Sequence, residues 1–248
     1  MTSTEPPLSP AAWMRWGAVQ SALPRTAIDV LEVGCGQGGF GVRLARRYPA
    51  YVGVEPDRQA FEVAHHRLEA DGGSGEARNG GVEVLDAERR FDLVCAFEVL
   101  EHIEDDRAAL ESWVARLRPG GTILMSVPGF SRRFAAADVM AGHFRRYDPP
   151  VLEELMRSVG LVDVEVRQFS GPLGYVLETA RNQLGRRRLA KRGDESIEDR
   201  TAGSGRLFQP TSSPHAALAQ HGTAPFRWLQ DKGVGGGPGL LARARTAG

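Results

Sequence analysis

The stretch Leu31-Glu32-Val33-Gly34-Cys35-Gly36-Gln37-Gly38, followed by Val52-Gly53-Val54-Glu55-Pro56-Asp57, decides the fold. Each block reads as a buried strand. The first runs into a glycine-rich turn and the second ends in a carboxylate. In an open α/β sheet, two such strand ends meet at the switch point where a nucleoside-type ligand lies. Glycines at 34, 36 and 38 let the backbone come close to a ligand and take up φ values that other residues resist. A carboxylate on the second strand suits a pair of ribose hydroxyls, because each of its oxygens only accepts.

The glycine spacing separates ligand classes. A dinucleotide site wants G-x-G-x-x-G, with pyrophosphate on a helix N-terminus. Here the pattern is G-x-G-x-G, and Glu32 stands two residues ahead of the first glycine. An acid there repels pyrophosphate and favours a cationic ligand. The block resembles motif I of the class I S-adenosylmethionine (SAM)-dependent methyltransferases, and the resemblance extends over roughly residues 28 to 170. It implies SAM as cofactor. Glu32 would then accept from the methionine ammonium, and Gly34 and Gly36 would make room for the methionine portion. Glu55 would hold the ribose hydroxyls and Asp86 the adenine amino group, with Cys35, Gly38, Pro56 and Phe97 completing the site. Asp57 also suits a helix N-cap.

Strands alternating with helices imply a doubly wound, mostly parallel sheet. Residues 1–10 read as a loose N-terminus, and residues 11–170 as the core. A leading helix is expected over Ala11 to Leu23. Strands are expected over Ile28 to Val33, Tyr51 to Glu55, Val82 to Leu85, Phe91 to Phe97, Thr122 to Val127 and Val162 to Phe169. Helices follow over Phe40 to Arg47, Arg58 to Ala70, Arg107 to Leu117 and Pro150 to Val159, and Asp71 to Gly81 reads as loop. By resemblance, the fold is a seven-stranded Rossmann-like sheet with a C-terminal antiparallel strand, placed at Pro238 to Ala244 within residues 238–248. That leaves 171–237 as an insertion or cap, with a basic segment at Arg181 to Arg192 and a Gly/Ser-rich one at Thr201 to Gly205. Long insertions of this kind form lids or stay disordered.

A second constellation is Phe97-Glu98-Val99-Leu100-Glu101-His102-Ile103. If it turns helically, Glu98, Glu101 and His102 share one face. The Glu-x-x-Glu-His pattern resembles metal-dependent ubiquinone-pathway O-methyltransferases and small-RNA 2′-O-methyltransferases. In the RNA enzymes a later histidine completes the site, and His143 stands at a corresponding place here. Glu98, Glu101, His102 and His143 are therefore candidate ligands for Mg2+ or another divalent metal. Such a cation would lower the pKa of an acceptor hydroxyl and orient it. Without a metal, His102 and His143 are candidates for general base or for structural hydrogen bonding.

Composition limits the rest. The 248 residues accommodate one α/β domain with an elaboration. The formal net charge is zero, which argues against nucleic acid as partner. Two cysteines in apolar strands do not make a disulfide framework, and with neither a secretion pattern nor a membrane-length apolar run a cytoplasmic location is expected. Arg145 and Arg146 could grip an anionic substrate or pair with nearby acids. Arg181 to Arg192 reads as a solvated helix face, with peripheral membrane contact as the other option. The reading is SAM-dependent methyl transfer to a small molecule, at a phenol, quinone-precursor or sugar hydroxyl. The alternatives are a 2′-O-methyltransferase acting on RNA and a catalytically retired fold serving as a partner subunit.

Overall fold

Asp29–Val33 (β1) and Ala50–Glu55 (β2) lie parallel, with Val33 opposite Val54, so the glycine turn and Glu55 emerge at the same sheet edge. The computed structural model describes residues 5–27, 29–190, 213–233 and 236–248. Its sheet has seven strands in the order β3 (Gly75–Asn79), β2, β1, β4 (Phe91–Phe97), β5 (Leu117–Pro128), β7 (Gly239–Thr246) and β6 (Leu161–Phe169). Phe91–Phe97 (β4) runs parallel to β1 on the other side, and Leu117–Pro128 (β5) runs parallel to β4. Gly239–Thr246 (β7) lies antiparallel between β5 and Leu161–Phe169 (β6). This is the doubly wound arrangement expected from the sequence, with the antiparallel strand near its C-terminal edge.

The strands are apolar on both faces because helices cover both, as parallel sheets require. Val30, Leu93, Cys95 and Leu124 point into one core with helix α1 (Pro10–Ala22), helix α2 (Gly41–Arg47) and helix α3 (Arg58–Asp71). Leu31, Val94, Ile123 and Met125 point into the other, under helix α4 (Asp106–Val114) and helix α6 (Pro149–Ser158). Local capping sets where several helices begin. The Ser9 and Asp57 side chains accept from the N–H groups of Ala12 and Ala60, at 3.3 and 2.7 Å.

One strand lies elsewhere than expected. The third is Gly75–Asn79 (β3), inside the stretch read as loop, whereas Val82–Val84 forms a 3-10 turn. β3 is an edge strand carrying Glu76 and Arg78, so its apolar signal is weak, while Val82 and Val84 imitate a strand without pairing to one. Between residues 171 and 237 the chain forms helix α7 (Leu173–Leu189) and helix α8 (Ser213–Asp231). α7 packs on helix α5 (Ala136–Ala141), and α8 packs on α1. The Gly/Ser-rich segment Thr201 to Gly205, the end of the basic segment at Lys191 and Arg192, Ile28, and residues 1–4 lie outside the described residues.

Truncating Leu124, fully buried in β5, leaves a cavity between packed layers. Leu124→Ala is expected to destabilise the fold by about 2–5 kcal/mol. Urea unfolding would show this as a lower midpoint at unchanged slope.

Candidate active site

Beyond the C-terminal ends of β1 and β4 opens a cleft of about 1460 Å³. Its floor is the glycine turn. Gly34 and Gly36 hold φ of +67° and +54°, and the Cβ position of Gly36 meets nothing within 4 Å. Glu32, Cys35, Glu55, Pro56 and Phe97 also face the cleft. Gly38 does not: its Cβ position lies 3.2 Å from Ala64, so this glycine serves the approach of α3 instead. Asp86 is likewise off the cleft. It is exposed, and its carboxylate accepts from the Glu88 N–H at 2.8 Å. The true end of β3 takes its place, and Gly80, Gly81, Val82 and Glu83 form that wall. Asp86 lies away from the cleft because the strand it is expected to follow is Gly75–Asn79.

The two acids at the glycine turn differ in surroundings. Glu32 is 3% exposed, and its Oε2 accepts from the Tyr51 hydroxyl at 2.5 Å. Burial, reinforced by the charge of Glu55 and opposed by Tyr51, pushes its carboxyl up to about 8. Glu55 accepts from the Gly36 N–H on Oε2 at 2.8 Å and from the Asp57 N–H on Oε1 at 2.9 Å. Burial raises its pKa as well, against these two amides. Each Glu55 oxygen has a lone pair left for a ligand hydroxyl. The Asn79 side chain donates to the Glu55 carbonyl at 2.8 Å and steadies this strand end.

The opposite wall follows β4. Glu98 has φ of +58° and precedes the 3-10 turn Leu100–His102, so no helical face joins it to Glu101 and His102. Its carboxylate pairs with Arg15 of α1 at 3.0 Å and accepts from the Ser126 hydroxyl at 3.0 Å. Burial would raise this carboxyl, but Arg15, His143, Ser126 and Arg181 outweigh it and hold it below the ordinary value. Among the described residues, Glu101, His102 and His143 form the one group of three whose candidate ligand atoms all lie within 4.8 Å. Glu98, the fourth expected ligand, is not part of it.

Glu101 is fully buried, and neither of its carboxylate oxygens has a hydrogen-bond partner; Nδ1 of His102 has none either. Burial, then the neighbouring Glu98 charge, pushes the Glu101 carboxyl well up. Burial, then His143, pulls His102 down to about 4, so its ring is neutral. The His102 and His143 rings meet edge to face at 4.6 Å. The donor set, one carboxylate and two imidazoles, with unsatisfied atoms on Glu101 and His102, fits a divalent cation chemically.

Tyr51, Arg15 and Asp138, which the sequence did not single out, complete the site, together with Arg181 on α7, the first residue of the basic segment expected as a solvated helix face, which lines the cleft instead. Their signals are long-range pairings between α1, α5, α7 and the sheet, which periodicity does not reveal. Arg145 and Arg146 pair with acids: Arg145 with Asp106 at 2.6 Å, and Arg146 with Asp138 and Glu178.

Known proteins place this fold. Residues 9–166 match the family profile described as a methyltransferase domain. The chain belongs to that family, within the class I SAM-dependent methyltransferase superfamily. Among curated relatives, it is 35% identical over 127 residues to a ubiquinone biosynthesis O-methyltransferase of Bradyrhizobium sp. (strain ORS 278), covering 50% of this chain and 49% of the relative. A protein of the same name from Methylobacterium sp. (strain 4-46) is 30% identical over 180 residues, covering 65% and 72%. The chain spans about half the length of most of the curated relatives it matches. The solved phosphoethanolamine N-methyltransferase 2 of Haemonchus contortus, in complex with SAM, superposes with TM-score 0.60 at 16% identity, over 94% of this chain and 53% of that one. N-methyltransferase NodS of Bradyrhizobium japonicum WM9 gives 0.54 at 18% identity, over 96% and 85%. At these identities, the structures attest the fold. Among the described residues, no helix is long and apolar enough to cross a membrane.

The raised Glu32 carboxyl makes a pH prediction. The folded chain holds this proton up to about 8, whereas an unfolded glutamate releases it near its ordinary value of 4.5. The folded state therefore binds more protons between those values, and its stability falls as pH rises, by up to ~1.4 kcal/mol per pH unit from this group. Glu32→Gln removes that contribution. Denaturant unfolding of the ligand-free protein at several pH values should show the variant gaining on the wild type from pH 5 to 8. A difference independent of pH would mean that Glu32 is ionised throughout.

Proposed function

We propose that this chain transfers a methyl group from SAM to a hydroxyl oxygen of a small molecule. The observation that carries the reading is the cleft itself, which has two buried acids flanking an open glycine turn on one wall and two imidazoles on the other. The names of the curated relatives support oxygen as acceptor and a phenol or quinone precursor as its class; a sugar hydroxyl remains within the same chemistry.

Glu32 would face the methionine ammonium, ionising as that cation arrives, with Tyr51 fixing its orientation. The open backbone at Gly36, with Cys35 beside it and Gly34 packed against Val99, leaves room for the methionine portion. Glu55 would accept from the ribose hydroxyls, and Pro56, Phe97 and the Gly80–Glu83 wall would enclose the base. When bound, SAM supplies an electrophilic methyl: the C–S bond breaks with its electron pair going to sulfur as an O–C bond forms. The protein must remove the proton of the acceptor hydroxyl and align its oxygen. His143 would take that proton on Nε2, and neutral His102 packs against it as a second wall. Removing water and holding the acceptor in line lowers the barrier further.

A second reading of the same wall is favoured by the unsatisfied atoms of Glu101 and His102. There, Glu101, His102 and His143 would hold a divalent cation, whose chemistry is to acidify and orient the acceptor oxygen. Nucleic acid as acceptor has less support, because the net charge of the chain is zero.

Two outcomes test these readings. Glu55→Ala removes two charge-assisted hydrogen bonds to the donor and should weaken S-adenosylhomocysteine about 10–100-fold in calorimetry. Equal affinity would overturn the donor site. Turnover of a catechol acceptor, measured with and without excess EDTA, separates the two readings of the histidine wall. Loss that Mg2+ or Mn2+ restores supports the metal, and unchanged turnover supports His143 as an unassisted base.

A further inference from the structure

We propose that Asp138 is the positioning residue of the acceptor wall, fixing His143 with its proton on Nδ1 so that Nε2 presents its lone pair to the cleft. The inference rests on the function proposed above for what Nε2 acts upon, but the tautomer itself does not depend on that function.

Asp138 is 1% exposed, in helix α5. Its Oδ1 meets His143 Nδ1 at 2.9 Å and accepts from Arg146 Nε at 2.8 Å, while its Oδ2 accepts from the Ala135 N–H at 2.8 Å. The His143 N–H donates to the Asp138 carbonyl at 3.0 Å, so backbone and ring are both tied to this residue. A guanidinium and an amide donating to one buried carboxylate keep it ionised, and an ionised carboxylate can only accept. The ring nitrogen against it must therefore carry the hydrogen. The other nitrogen, Nε2, has Glu101 Oε1 as a carboxylate neighbour at 4.0 Å, beyond hydrogen-bond reach. It is left free to act on a ligand.

The surrounding charges show how Asp138 works. Arg146 bridges Asp138 to Glu178 of α7, and Arg133 pairs with the same Glu178 at 2.6 Å. Two carboxylates face two guanidiniums, so the cluster carries no surplus negative charge toward His143. Asp138 acts through geometry: it selects one tautomer and one ring orientation. It serves a proton acceptor and a metal ligand equally, since both need a bare Nε2. Because Glu178 belongs to α7, the segment between β6 and β7 anchors the orientation of this ring.

The test uses the full chain, 15N-labelled and held in chelator at about pH 8, above the ordinary imidazole range. Two-bond 15N–1H spectra report which His143 nitrogen is protonated, with His143→Ala assigning the signals. The expected result is Nδ1–H in the wild type and a mixed or reversed pattern in Asp138→Asn. Calorimetry with S-adenosylhomocysteine should show the variant binding within about twofold of the wild type, as expected for a fold left intact. Nε2–H in the wild type would overturn the proposal, and that spectrum decides even if Asp138→Asn does not fold. An unchanged tautomer in a folded Asp138→Asn would also overturn it. Failure of the wild type to bind S-adenosylhomocysteine would instead sink the donor reading and leave the tautomer standing. With a catechol acceptor, Asp138→Asn should lower kcat about 10–100-fold while leaving KM for SAM. It should add nothing in the His143→Ala background. Equal losses in both backgrounds would assign Asp138 to folding and overturn the proposal.

Discussion

The parallel pairing of β1 with both β2 and β4 is the constraint from which the rest follows. Three strands that run the same way deliver three chain ends to one edge of the sheet: the glycine turn, Glu55 and Glu98. Helices leaving to opposite faces cannot fill the space between those ends, so a crevice opens there. The β1–β2 pairing brings Glu32 and Glu55 within electrostatic reach of each other at low exposure. The cost of holding acids there falls on the ligand-free protein, and a cationic ligand is what would relieve it.

The other side of the cleft is assembled differently. It depends on tertiary pairings made by short elements: the 3-10 turn after β4, α5, and the loop carrying His143. A buried group of carboxylates and guanidiniums takes the place of regular backbone pairing. Such a group is costly to desolvate and severe when one member is missing, so it specifies an arrangement more than it adds stability. The glycine side thus takes its geometry from the sheet, and the imidazole side takes its geometry from side chains.

This difference explains how much could be read from sequence. β4 begins and ends where its apolar run does, and Glu32, Gly34, Gly36 and Glu55 stand where strand-then-turn logic puts them. The local pattern is sufficient because strand ends inherit their position from the sheet. β3 was displaced because Glu76 and Arg78 disguise an edge strand while Val82 and Val84 mimic one, and Asp86 moved out of the site with it. Gly38 is a packing glycine that local spacing made look like a binding one. Glu98 was grouped with Glu101 by helical spacing, but its left-handed backbone breaks that relation and sends it to Arg15. Asp138 and Tyr51 carried no sequence signal at all, since their partners lie on other elements or depend on a turn that only the folded chain defines.

The position of β7 bears on how the chain is made. Among the described residues, β6 pairs as a strand with β7 alone, and β7 bridges it to β5. On a ribosome, residues 161–169 therefore emerge with no strand to lie beside, and helices α7 and α8 are synthesised before residues 239–246 arrive to close the gap. Until then, β5 presents an unprotected edge, a surface that invites pairing with another nascent chain. Completion of this sheet therefore waits for residues 239–246, and until they arrive the growing polypeptide is exposed to self-association.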